Sequence, residues 1–458
     1  MGIIARPPNF KEIIAGNPGE VFSLINKFGP IDAKGRYLAW DEFRRRNQEG
    51  ADKNMAWAAV KLARLPLLRP LGDLVSEKNQ PLSYCIPDSL QGYLHTIDRL
   101  CSPLLHATDT TVVSSGERNR YLVDSLMMEE AISSAQLEGA ATTRKVAKAM
   151  LENEQPPRNE DERMVFNNFL LLKAAKANLE DSLSLELICH FHEIATHGTS
   201  NPHVTPGELR QADDIIVQGR DGETVHQPPM AANLSDRLAR LCDFANTRHD
   251  GQEGRQFIHP AVKAVALHFM LGYEHPFADG NGRTARALFY WYMLKEGYWP
   301  FEYISISALL KEAAVLYGKS YLYTETDDFD LTYFLDYQLR TIDRAIRQFL
   351  AYLDRKKREY YDLMEWMDDS GLSAALNYRQ GQLLRKALRH PGRVFTVKEV
   401  KHDFGVADNT ARTDLQRLVA LKVLAPVKDA KIVHYVARAD ARDSLRLNAK
   451  TALKQTSP

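Results

Sequence analysis

Residues 275–286 read HPFADGNGRTAR, and this stretch limits what the chain can be more than any other. An apolar run precedes it, Phe257 to Tyr273 with Val262, Val265, Leu267, Phe269 and Met270, and another follows from Ala287 to Leu294. Both have the length and character of buried helices, so the twelve residues form a loop that runs into the second helix. Gly280 and Gly282 let backbone N–H groups turn to one side, and Asn281 is placed to cap the helix that follows. A helix N-terminus fronted by such a nest binds anions, phosphates above all. Arg283 and Arg286, three apart on the first turn, share a face and both reach a polyphosphate. Asp279 offers a hard oxygen ligand for Mg²⁺ bridging the same phosphates. His275, at the mouth of the loop, is placed to take a proton from an incoming hydroxyl. Glycine loops before helices are common, and Asp279 alone would pass for a turn residue. His, Asp, two Gly, Asn and two Arg within twelve residues are not common. Together they describe a nucleotide site with its own base.

The segment resembles the Fic family signature, HPFx[D/E]GNGRxxR, at every defining position. The resemblance implies transfer of AMP from ATP to a Ser, Thr or Tyr hydroxyl of a target protein, with Mg²⁺ as the metal. It makes His275 the general base and Asp279 the metal ligand. Phe277, Ala278, Asp279, Gly280, Asn281, Gly282, Arg283 and Arg286 become the nucleotide-binding loop. Within it Gly280, Asn281 and Gly282 form the anion hole, the arginines hold the β- and γ-phosphates, and Phe277 anchors the loop in the core. Relatives that act as kinases with ATP inverted depart at the Asp279-Gly280 pair, so this sequence looks like the nucleotidyl-transferring type.

At 458 residues with zero formal net charge, the chain has room for several domains and is neither a nucleic-acid coat nor a membrane-surface protein as a whole. Cys85, Cys101, Cys189 and Cys242 lack metal or disulfide spacing. The first residues lack the pattern of a signal peptide, and no apolar run approaches the ~18 residues of a membrane span. The expectation is a cytoplasmic protein.

Upstream, Tyr37, Trp40, Asp41, Arg44 and Trp57 are similar to the N-terminal helical module of bacterial Fic proteins. Residues 117–138 read as one helix stopped by Gly139. Its end, SSAQLEG, matches the Fic inhibitory pattern [S/T]xxxE[G/N] at Ser134, Glu138 and Gly139. A guanidinium occupied by Glu138 cannot hold a γ-phosphate, so a pair between Glu138 and Arg286 implies autoinhibition. His190, His192 and His197 lack HExxH spacing and read as core or surface histidines. Residues 210–229 break the helical pattern, with β-prone runs at Ile215, Ile216 and Val217 and at Thr224 to His226 around Gly219-Arg220-Asp221-Gly222. By resemblance this is the flap that aligns a target segment by adding a strand. Where the family carries a Tyr-Tyr pair against adenine, this chain has Tyr317-Gly318, which leaves Tyr317 as the adenine contact.

A long helix from about residue 331 to 368 carries a seam, Leu339, Ile342, Ile346, Phe349 and Leu353, suited to domain packing or a homodimer. Residues 377–458 hold 17 Lys and Arg against 7 Asp and Glu, a net of ten positive charges. Three short helices and a β-like segment there fit a winged helix-turn-helix, with Asp408 capping the third helix and Arg412 and Gln416 placed for DNA. The expected fold is mostly α. It comprises an N-terminal helical module (1–110), a Fic-type helical bundle with inhibitory helix and flap (111–335), a linking helix (336–372), the winged helix (373–440) and a tail (441–458). The expected function is an autoinhibited, ATP- and Mg²⁺-dependent protein AMPylase without membrane contact. The alternatives are a DNA-binding regulator with a nucleotide-sensing core, or a de-AMPylase.

Overall fold

The computed structural model describes residues 4–46, 50–101, 116–153, 155–218, 222–369, 375–389, 392–429, 432–441 and 444–445. The chain forms two units, residues 1–350 and 351–458, and the boundary falls inside the helix Thr332–Asp369. As the sequence implies, the structure is mostly helical.

Two helices form the centre of the first unit. Pro260–Glu274 starts on an N-cap, His259, whose ring accepts the Ala261 N–H, with Pro260 at the first position. It packs against Asn281–Lys295, and both are buried on nearly every face, as their unbroken apolar runs require. Glu160–Ala177 and Leu185–Thr196 pack on each other and on Asn281–Lys295. Gly116–Leu137 lies against Glu160–Ala177 and against the short helix Ile306–Glu312. Gly139, at φ +102°, ends it, and the Ala140 N–H returns to the Ala135 carbonyl.

The N-terminal segment is tied to the core by buried charge. Arg64 stacks its guanidinium 3.6 Å from the centre of the Tyr37 ring and donates to the carbonyls of Pro30 and Leu38 and to the Tyr333 hydroxyl. Lys61 pairs with Asp327 at 2.9 Å, and Trp40 packs on Trp57. The segment also holds an antiparallel ribbon, Arg69–Val75 with Pro81–Tyr84, where sequence reading found helices alone. Its register shifts between Pro70 and Val75, so the alternation that marks a strand is broken.

Leu339, Ile342, Ile346 and Phe349 of the seam are already buried within the first unit. In the second unit, helices Tyr378–Arg389, Val397–Phe404 and Asp408–Ala420 accompany a three-stranded antiparallel sheet in which Ile432–Ala437 lies between Val394–Phe395 and Leu424–Asp429. Leu415 and Leu418 face its core while Asn409, Arg412, Thr413 and Gln416 are exposed. Asp408 does not cap: Ala407 holds that position, and the Asp408 carboxylate pairs with Lys401 at 2.8 Å instead. Much of the expected tail, residues 446–458, lies outside the described residues.

Candidate active site

The loop is fixed from its own backbone. Pro260–Glu274 ends at His275, which adopts a left-handed conformation (φ 44°, ψ 56°) that turns the chain out of the helix. Asn281, expected as a cap, does a different job. Gly280 takes the N-cap position at φ 81°, making Asn281 the first helical residue. The Asn281 amide then reaches back, accepting the Phe277 N–H at 2.9 Å and donating to the Phe277 carbonyl at 2.8 Å. Phe277 is completely buried, as expected of an anchor.

His275 Nδ1 lies 3.3 Å from the carbonyl of Gly272. A carbonyl only accepts, so Nδ1 carries the hydrogen and Nε2 keeps its lone pair. Burial pulls the ring's pKa down to about 4, the Gly272 carbonyl opposing and His226 reinforcing it. The ring is thus a neutral base at ordinary pH.

Arg283 and Arg286 do lie on one turn, both buried. Arg283 gives Nη1 to the Ala195 carbonyl and leaves Nε without a partner among the described residues. A buried guanidinium N–H without an acceptor is what an anion site requires. Arg286 gives Nε and Nη2 to the Ser134 hydroxyl, and Nη2 also lies 2.8 Å from Oε1 of Glu138. The Glu138 carboxylate covers the Gly282 face: a Cβ built there collides with it. Asp279 spends Oδ1 on the Gly280 N–H, and its Oδ2 stands 3.6 Å from Arg283 Nη2 with the side chain half exposed. Mg²⁺ usually takes one or two carboxylates and completes its shell with phosphate oxygens and water, and a single half-exposed Asp suits that. Among the described residues no group of three or more His, Cys, Asp or Glu forms an all-protein cage.

Residues 182–293 match the family model described as Fic/DOC family. These residues form a Fic domain. Over 140 residues the chain is 30% identical to the protein adenylyltransferase Fic of Drosophila virilis, covering 30% of this chain and 24% of that protein. Over 129 residues it is 31% identical to the enzyme of the same name from Culex quinquefasciatus, covering 28% and 23%. The chain thus spans about a quarter of the length of these relatives. A Fic family protein from Desulfovibrio desulfuricans G20 superimposes with a TM-score of 0.50 at 18% identity, over 78% of this chain and 98% of that one. That likeness is one of fold.

The Fic loop rests on a histidine that sequence reading assigned to packing. His192 stacks on Phe277 with ring centres 3.7 Å apart and planes 5° apart. Its Nδ1 accepts the Gly207 N–H at 3.0 Å, so Nε2 bears the hydrogen and donates to the Asp279 carbonyl at 2.9 Å. The ring joins the base of the flap to the loop. Arg210 makes the other join, donating Nε to the His275 carbonyl, Nη2 to the Pro229 carbonyl and its backbone N–H to the Pro276 carbonyl.

The flap ladder is shorter than expected. Only Val217 of Ile215, Ile216 and Val217 pairs, in Val217–Gln218 against Thr224–His226, and Ile216 is exposed ahead of it. The register shifts between Val217 and Gln218, which ends regular pairing early. Residues 219–221 of the expected turn lie outside the described residues. Tyr317 packs among Tyr321, Phe334 and Tyr337, and its hydroxyl meets His268 Nε2 at 2.9 Å.

Proposed function

We propose that the chain is a protein adenylyltransferase that moves AMP from ATP to a Ser, Thr or Tyr hydroxyl of another protein, and that Glu138 holds it off. The observation that carries the reading is His275, whose Nδ1 is held by the Gly272 carbonyl so that Nε2 keeps its lone pair, beside a cradle in which Arg283 Nε has no partner among the described residues. The named adenylyltransferase relatives support it. The target hydroxyl gives its proton to His275 Nε2, and its oxygen forms a bond to the α-phosphorus as the bond to pyrophosphate breaks. The first N–H groups of Asn281–Lys295, with Arg283 and Arg286, face the charge that gathers on the leaving phosphates. Asp279 is the residue that would hold Mg²⁺, which would supply positive charge to the same phosphates. The flap supplies backbone for the target segment through Val217. With Arg286 bound to Ser134 and Glu138, the γ-phosphate loses its partner, which supports autoinhibition.

Incubating the full chain with ATP labelled at the α-phosphate, Mg²⁺ and cell lysate tests the reading. Label on protein is expected, strongest with Glu138→Gly. No label from wild type or Glu138→Gly overturns it.

We read residues 373–440 as a winged helix-turn-helix whose partner is DNA. The exposed polar face of Asp408–Ala420 and the ten net positive charges of residues 377–458 support this. Full-length protein is expected to bind duplex DNA with an affinity that falls steeply as salt rises. Arg412→Ala and Gln416→Ala are each expected to cost about 1–3 kcal/mol at a preferred site. Absence of binding by fluorescence anisotropy at low salt removes DNA as the partner.

A further inference from the structure

His226 closes the second flap strand, paired with Val217. Its ring is buried, and each nitrogen faces an oxygen. Nδ1 lies 2.7 Å from Oε2 of Glu325, and Nε2 lies 2.7 Å from the carbonyl of Tyr273. A backbone carbonyl only accepts, so Nε2 carries a hydrogen; a carboxylate only accepts, so Nδ1 carries one too. The contrast with His192 is direct. There one nitrogen accepts from Gly207 and the other donates to Asp279, the pattern of a neutral ring. The neutral alternative at His226 places the Nδ1 proton on Glu325 instead. Imidazole outcompetes a carboxylate for a proton by about two pKa units in water, and Glu325, still partly exposed, keeps some hydration as an anion.

We propose that His226 is doubly protonated at neutral pH, a positioning residue whose two charge-assisted hydrogen bonds fasten the flap strand between the helices Pro260–Glu274 and Ala314–Thr326. The first of these delivers His275 two residues beyond Tyr273, so the latch sets the flap against the base itself. The charges around the ring come from several elements. Glu325 lies on Ala314–Thr326, while Tyr273, Glu274 and His275 lie on or just past Pro260–Glu274. Glu274 is already paired with Arg237 at 2.6 Å, and Arg210 sits at the base of the flap. Arg210 is in turn paired with Asp213 at 3.1 Å, so Arg237, Arg210 and the imidazolium are matched by Glu274, Asp213 and Glu325, and the His226 charge itself helps keep His275 unprotonated.

Burial opposes the His226 charge, but Glu325 and the Tyr273 carbonyl together raise its pKa above the usual histidine value. The latch is therefore fully made below about pH 6.5 and is lost as pH rises through the raised value. Beyond that point a lone pair faces an acceptor oxygen, and the strand end loses one of its two ties.

The test is a pH titration of the full chain labelled with ¹⁵N-histidine. The His226 signals are found by their loss in His226→Gln or, should that variant not fold, by cross-peaks to the Tyr273 ring, 5.1 Å away. Two protonated-type nitrogens at pH 7 are expected, titrating above the ordinary histidine range and at lower pH in Glu325→Gln. One unprotonated-type nitrogen on His226 at pH 7, or no shift in Glu325→Gln, overturns the proposal. The readout needs no nucleotide, so it stands even if AMP transfer fails. Only the consequence for turnover rests on that reading: KM for the target protein is expected to rise with pH, and to do so at lower pH in Glu325→Gln. A KM that does not change with pH removes the latch from the reaction.

Discussion

Replacing His275 with alanine is expected to lower AMP transfer by about 10²- to 10⁴-fold, the usual value of a positioned general base. The expectation rests on the tautomer. Gly272 takes the Nδ1 hydrogen, so the ring has one function left, and it is at Nε2. The φ of 44° strains any residue with a Cβ, histidine included, and alanine tolerates it less well than histidine does. His275→Asn separates the two effects, since asparagine tolerates the left-handed region and still lacks the base. Both variants are expected to lose labelling from α-labelled ATP, while His275→Asn keeps the thermal stability of wild type to within a few degrees. Labelling at the wild-type rate by His275→Asn would falsify the mechanism. The pH profile supplies a second check. With its pKa drawn down to about 4 by burial, His275 is unprotonated above about pH 5, so its acid limb lies near 4. An acid limb near 6.5, the value of a solvated histidine, would mean that the acting histidine is hydrated and not buried as it is here.

How much of this was legible in the sequence depended on how far apart the cooperating residues lie. His275 to Arg286 is one contiguous stretch, so its chemistry can be read before any fold is known. The flanking helices are equally plain, because segments buried on all faces leave continuous apolar runs. The ion pair between Glu138 and Arg286 spans much of the chain and was visible only through a short motif in the expected order. His192 carried no such mark. It sits 85 residues from Phe277, on which it stacks, and nothing local distinguishes it from a core histidine. His226 was equally silent, a member of a β-prone run whose partners lie on two distant helices. The two cap assignments failed for a common reason. A cap depends on which residue begins the helix, and the positive φ of Gly280 starts the helix one residue earlier than Asn281 capping requires. Both misassigned side chains found other work, Asn281 in closing the loop and Asp408 in an ion pair.

Glu138→Gly is expected to raise AMP transfer by about 10- to 100-fold, since a hydrogen bond to a charged group contributes roughly 1.5–3 kcal/mol. The carboxylate does two things that its removal undoes: it occupies Arg286 Nη2 at 2.8 Å, and it covers the face of Gly282. Ser134 still holds Arg286 through Nε and Nη2, so a phosphate must compete with a neutral hydroxyl and no longer with a charge. Glu138 lies just past the end of Gly116–Leu137 and before Gly139, so glycine there removes no helical residue and the fold should persist. Glu138→Gln keeps the shape without the charge, and an intermediate gain is expected from it. The order Gly above Gln above wild type separates charge from bulk: equal gains from both variants assign the block to charge alone. No gain from either removes Glu138 as the brake. The same variants decide the direction of the reaction. If wild type strips AMP from a target labelled beforehand and Glu138→Gly does not, the carboxylate acts on water beside the cradle, and the chain is a de-AMPylase as well. If neither strips it, the contact with Arg286 is a brake and nothing more, and relief of that brake is what the cell must control.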